Sequence, residues 1–415
     1  MKISNKILVL ALGTLAFTSC KEDDEGSGSN TSVTTLSLTS NLDDVDISSL
    51  TVPTTYDTAS AFSPAAWSGQ ETRKQQLNEL VGYSKDTPIP FDLGAALEDG
   101  SLYVNENATS SDTKIYNKID ENVTGSKGSA SYTVADLFVA IADSLKASST
   151  NHTTIASNGV AGLLDGRHFS STGIEYAQLL EKGLFGACFY DQIVDDYLST
   201  SQAATGTSKS NDDVNSADYN EEGTERQHAF DEAFGYLGVS LDWDGTSGSA
   251  EDLGKYIDKT SDDLDVDISE KLATAFKVGR AALKAGEGTT ADEDNTNEEI
   301  LTAAIADIKL YVEAGIAGSA IGYLNATITG IDNVDDAEKL HAFSEAIAFI
   351  YSLSFNDNSA IPASKVYEVL EIFGWDGESL EGVYSVNAWN VTTEDINEAK
   401  EILTTYYPEL ANVAY

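Results

Sequence analysis

No proline occurs between Pro90 and Pro362 of this 415-residue chain. A proline inside a helix removes a backbone donor and clashes with the preceding turn, so an interval of that length without one permits long helices. The residues within it favour them. Alanine is frequent, and apolar residues recur three and four positions apart, the period of an amphipathic helix rather than the alternation of a strand. The pattern predicts helices over 70–83, 134–146, 173–197, 222–237, 262–285, 297–326, 335–353, 364–373 and 393–406. Thr393 reads as the N-cap of the last, and Pro408 follows its end. With few convincing strands, the expected fold class is all-α, built from helical bundles.

Two of these helices echo each other. Arg226–Leu237 reads RQHAFDEAFGYL and Lys339–Ile350 reads KLHAFSEAIAFI, so both contain His-Ala-Phe-x-Glu-Ala. A second shared pattern precedes each: EKGLFGA at 181–187 and EAGIAGS at 313–319. Small residues on a helix let a neighbouring helix approach closely. A small-faced helix followed by a histidine helix, twice in one chain, predicts two bundle halves related by duplication, at about 53–260 and 261–415. The spacing differs, 45 residues from Gly183 to His228 and 26 from Gly315 to His341, and the polar loop 199–220 supplies part of the difference.

In a helix, residues four apart share a face. His228 therefore stands beside Glu232, and His341 beside Glu345. A histidine nitrogen and a carboxylate on adjacent turns are a familiar pair of metal ligands, and helix bundles build iron and manganese sites from inward-pointing Glu and His. Iron or another divalent transition metal such as zinc would accept these donors, whereas calcium would not favour the imidazole. Glu175 is a candidate third carboxylate, completing a site with His228 and Glu232, or serving as a charge at a helix N-terminus. The pairs can equally hold each other and fix their helices in place. His168, in GRHFSS, is expected in a loop. No HExxH helix, phosphate-cradling glycine loop or GxSxG elbow is present in the sequence.

The N-terminus predicts an address. MKISNK is followed by the apolar run ILVLALGTLAF and then TSC, the layout of an export signal, too short for a comfortable spanning helix. The expectation is a lipoprotein signal over 1–19, Cys20 as the acylated anchor, and a flexible acidic, Ser/Thr-rich tether over 20–52. KEDDEG behind Cys20 resembles a surface-export tag. Without the two lysines of the signal, 22 basic and 68 acidic residues leave a net charge of −46, which excludes nucleic acid as a partner. Apart from Cys20 the chain has only Cys188, which rules out an internal disulfide and a cysteine zinc site. Its apolar neighbours in LFGACFY predict a buried, inert thiol.

WSGQETRKQQLNELVGY, GIEYAQLLEKGLFGACFYDQI and HAFDEAFGYLG resemble the SGQ-T-R, G-[IL]-E-x-x-Q-x-x-x-KGL-x-GA and DEAFGY motifs of an uncharacterised family of bacterial lipoproteins. The resemblance covers most of residues 53–415. That family is similar, more distantly, to imelysin-like proteins, which implies a pair of helical bundles arising by duplication, a surface or periplasmic place, and a link with iron uptake through metal binding rather than catalysis. The imelysin-like motif G-x-H-x-x-E has its nearest counterpart in Gly166-Arg167-His168-Phe169-Ser170-Ser171, where serine replaces the glutamate, so no ligand pair carries over there.

The resulting expectation is a membrane-anchored, surface-exposed outer-membrane lipoprotein that binds a metal or metal-bearing ligand through His228, Glu232, His341, Glu345 and Glu175 in iron acquisition. The alternative is a non-catalytic interaction module for an outer-membrane receptor or transporter, with both His–Glu pairs structural. Peptidase activity is not expected.

Overall fold

A computed structural model of the chain describes residues 33–56, 67–84, 88–100, 114–120, 133–204, 223–246, 248–287, 295–375 and 380–415. The expected signal, the anchor Cys20 and the first part of the tether lie outside the described residues. The helices are α1 (Ser68–Tyr83), α2 (Leu93–Asp99), α3 (Ile115–Asp120), α4 (Val134–Ser149), α5 (Tyr176–Leu184), α6 (Glu225–Gly235), α7 (Asp252–Ser261), α8 (Ile268–Ala285), α9 (Asn295–Asp332), α10 (Asp336–Ser352), α11 (Ala363–Ile372), α12 (Leu380–Ser385) and α13 (Thr393–Tyr406). Among the described residues the one paired sheet is a hairpin of β1 (Gly162–Leu164) and β2 (Arg167–Phe169). The chain is all-α, as the proline-free interval predicted.

The body is organised around α9. At 38 residues it runs about 57 Å, at roughly 1.5 Å per residue. Apolar residues occupy every side of it, which is tolerable only for a helix covered all round. α7, α8, α10 and α13 supply that cover. No described helix is long and apolar enough to cross a membrane.

The small residues of the two EKGLFGA-like segments are used as expected. A Cβ on Gly315 or Gly318 would collide with Ile257 or Thr260 of α7, and one on Gly183 or Gly186 with Phe138 of α4 or Ser352 of α10. The neighbours admitted are different helices in the two cases. α5 of the first sequence half packs along α10 of the second, and α7 along α9, so helices from both halves share one core within the unit 34–415.

Three expectations need correction. The tether ends early: residues 34–52 belong to the helical body. Leu36 and Leu38 are buried, Leu36 N–H donates to Tyr406 O at 2.8 Å, and the buried Asp307 of α9 accepts from Ser40 Oγ at 2.5 Å and Asn41 N at 2.6 Å. A buried carboxylate needs such donors, and this segment provides them. His168 sits in β2 and is buried rather than in a loop. Asp165 and Gly166 both take positive φ, as a tight two-residue hairpin turn requires. The expected helix 173–197 is α-helical only to Leu184 and continues as π-helical turns over Phe185–Tyr190 and Gln192–Tyr197.

Candidate functional site in the two histidine helices

The two His-Ala-Phe-x-Glu-Ala segments form α6 and α10. Each begins with a satisfied N-terminus. Thr224 and Gln227 make a reciprocal capping box on α6, and Asp335 accepts from Ala337 N and Glu338 N on α10. In both helices the i, i+4 geometry appears. His228 Nε2 lies 3.6 Å from Glu232 Oε2, and His341 Nε2 lies 3.5 Å from Glu345 Oε2. Beyond that distance the two pairs diverge.

The first pair is at the surface, with 38 % of the His228 side chain and 22 % of Glu232 exposed. Glu232 Oε1 accepts from Gln70 Nε2 of α1 at 2.9 Å, and the same amide donates to Tyr197 OH at 3.0 Å. Arg73, one turn along α1, donates to Tyr236 OH at 3.0 Å. The SGQ-T-R helix, the π-helical turns and the DEAFGY helix therefore meet through buried polar contacts. The deepest charge of α6 is the residue that varies in the echo, Asp231. It is buried with Arg280 of α8, whose Nε donates to it at 2.8 Å, and it accepts from Tyr56 OH.

The second pair, a half-buried His341 and a buried Glu345, belongs to a larger network. His341 Nδ1 lies 2.7 Å from Glu175 Oε2, and Lys182 Nζ lies 3.2 Å from Glu345 Oε1 while also pairing with Glu181. Arg167 Nε is 3.9 Å from Glu175. Ser344 occupies the position that Asp231 has in α6. Its hydroxyl accepts from Glu175 N at 2.9 Å and donates to Leu340 O at 2.7 Å, so it pins the start of α5 to α10. Glu175 is the N-cap residue of α5, yet its carboxylate makes no cap bond and reaches His341 and Gln178 instead. The structure thus places Glu175 with His341, and not with His228 and Glu232 as expected. The cause is the packing of α5 along α10, while α6 packs against the π-helical segment and α8.

Burial depresses the His341 pKa, but the Glu175 hydrogen bond and the charges of Glu345 and Glu175 outweigh it, and the net direction is upward. Burial likewise works against the Lys182 charge, and Glu181 and Glu345 overcome it, so that the ammonium is retained. The imidazole faces one carboxylate with each ring nitrogen. Those nitrogens point in divergent directions, so Glu175 and Glu345 do not converge on one point with either. Lys182 occupies the other oxygen of Glu345. Among the described residues no group of three or more His, Cys, Asp or Glu side chains is arranged to hold a metal ion. As they stand, the donors fit a shared proton better than a divalent cation. Cys188 is fully buried, and burial pushes its thiol up to about 12.

Sequence reading missed Lys182 as the partner of Glu345 and Arg280 as the partner of Asp231. Arg280 carried a signal: a lone arginine in the apolar VGRAAL run of α8 requires a buried acid.

A model of the family described as "Domain of unknown function (DUF4856)" matches residues 54–402. No curated protein and no solved structure matches the chain significantly.

Proposed function

The chain belongs to the DUF4856 family, and from that premise we propose that it is an envelope-anchored binding module without catalytic chemistry, whose two His–Glu pairs are structural. The observation that supports this reading is the occupancy of the second pair. His341 is shared between two carboxylates, and Lys182 already neutralises Glu345, so a metal would have to displace both a proton and an ammonium. The first pair offers two donors at the surface, and Gln70 holds one oxygen of its carboxylate.

The place of action follows from the N-terminal sequence: export, acylation at Cys20 and display on the outer membrane, beside a receptor or transporter. Kinship with imelysin-like proteins belongs to the same proposal. The test has two arms. Titration of Fe(II) and Zn(II) into the mature chain is expected to give no stoichiometric uptake. One-to-one uptake that disappears when His228, Glu232, His341 and Glu345 are all replaced would restore a role as a metal-binding protein of iron acquisition. Radiolabelled acyl incorporation that is lost in Cys20→Ala, with copurification of an outer-membrane protein, is the expected outcome of the second arm.

A further inference from the structure

The segment 40–47 and the start of α8 border a cavity of about 500 Å³ that opens to solvent. Small-molecule sites run from roughly 300 to 1,000 Å³ and are mostly apolar, with a few polar groups that fix the ligand. Leu42 and Ile47 of the segment and Val266 of the α7–α8 connection give this cavity an apolar wall, and all three are half-buried. Both sides are fixed without a ligand. Ser40 and Asn41 are tied to the buried Asp307, and Asp267 holds the start of α8 by accepting from Glu270 N at 2.9 Å and Ser261 Oγ at 3.0 Å.

Three carboxylates line the same cavity from three separate places: Asp43 on the segment, Asp265 on the connection and Glu270 in the first turn of α8. Among the described residues the carboxylates of Asp265 and Glu270 form no hydrogen bond or ion pair. Lys271, which also lines the cavity, reaches only Asp43, at 4.0 Å. Uncommitted acids are common in a chain with 68 of them and decide nothing alone. Their place beside an open apolar wall does. A bare divalent ion would gain nothing from that wall, and no group of described side chains is arranged to hold one. A cation with an apolar body uses both features.

We propose that this cavity binds an ammonium group carried on an apolar stem, whether a free amine or the lysine side chain of a peptide. Asp265 and Glu270 accept its charged donors, and Leu42, Ile47 and Val266 cover the stem. The net charge of −44 concentrates every cation near the surface, so charge alone does not select. The apolar wall supplies the selection. The proposal rests on the binding-module reading and gives it a ligand class.

The test is calorimetric titration of the mature chain at neutral pH, in about 0.15 M sodium chloride, with three probes. Phenethylamine stands for a free amine, Nα-acetyl-lysine methylamide for a lysine of a peptide, and methylamine for a charge without a stem. One-to-one uptake of at least one of the first two is expected, and the tighter tells the two sources apart. Methylamine is expected to bind at least about tenfold more weakly, since each buried methylene adds affinity. Asp265→Asn combined with Glu270→Gln is expected to weaken uptake by about tenfold, as for two partly exposed ion pairs lost together. Val266→Ser is expected to narrow the gap to methylamine. Glu371→Gln, at an exposed position on α11, is expected to change nothing. Absence of saturable uptake, equal uptake of methylamine, or an equal loss in the Glu371 variant overturns the site. If Val266→Ser fails to melt cooperatively, the Asp265 and Glu270 substitutions decide alone. Failure here with partner copurification intact would remove the amine site and leave the binding-module reading standing.

Discussion

The His-Ala-Phe-x-Glu-Ala segments of α6 and α10 share a sequence pattern and a His–Glu separation within 0.1 Å of each other, yet they sit in opposite electrostatic situations. In α6 the pair is half-exposed and the buried charge lies at the variable position, Asp231. In α10 the variable position is a serine, and the pair itself is drawn into the interior charge network. A four-residue spacing therefore fixes how two side chains face each other and says little about what surrounds them. The surroundings come from whichever helix packs alongside: α8 brings Arg280 to α6, and α5 brings Glu175 and Lys182 to α10.

That contrast is open to direct attack. The largest effect is expected from Arg280→Met, which leaves Asp231 buried without its guanidinium. Loss of one partner of a buried pair costs about 3–5 kcal/mol, read as a lower urea midpoint at unchanged slope. Lys182→Met is expected to cost less, about 3 kcal/mol, because His341 still faces Glu345 after the lysine is gone. If the Lys182 variant proves as stable as the parent, the α10 network is not the interior charge cluster described above.

A smaller effect separates the two histidines by pH. The pKa of His341 is raised in the folded state. Its stabilising contribution is then fully present below its ordinary value near 6.5 and is lost as pH rises through the higher folded value. Urea unfolding of the parent and His341→Gln across pH 5.5–8.5 is expected to show a gap that narrows as pH rises. A gap that widens with pH would reverse the sign and imply a neutral imidazole in the native state. The smallest effect is expected for His228→Ala, within about 0.5 kcal/mol of the parent, as for an ordinary surface position.

Much of the architecture was legible in the sequence, because long helices with a 3.6-residue period leave a strong trace. Helix 393–406 was read to the residue, although its N-cap is Thr392, boxed with Asp395, rather than Thr393. α9 was found but ends six residues later than expected, since Thr327, Thr329 and Gly330 lower helix propensity without stopping a helix held on several sides. α7 was missed altogether. Its sequence DLGKYIDKTS has an internal glycine and follows an acidic, glycine-rich stretch, and the helix exists because Leu253 and Ile257 are buried and Gly315 and Gly318 of α9 admit it. The site was legible only in pairs. His228 with Glu232 and His341 with Glu345 follow from local spacing. The meeting of Glu175 with His341, more than 160 residues apart, depends on how α5 lies along α10.

The π-helical turns between Phe185 and Tyr197 have a consequence for how the chain tolerates change in length. A π turn hydrogen-bonds each residue to the fifth one on, so it accommodates one more residue than an α turn. Deleting one residue there would let a turn relax to plain α-helix while the residues on either side keep their facing, because the wide turn had absorbed the extra residue. Tyr197 would stay against Gln70, and with it the link that ties α1 to both the π segment and Glu232. The stretch GACFYDQIVDDY thus carries slack in its length: the loss of a residue is taken up inside the wide turns, whereas the same loss in a plain α-helix turns everything beyond it by about 100°.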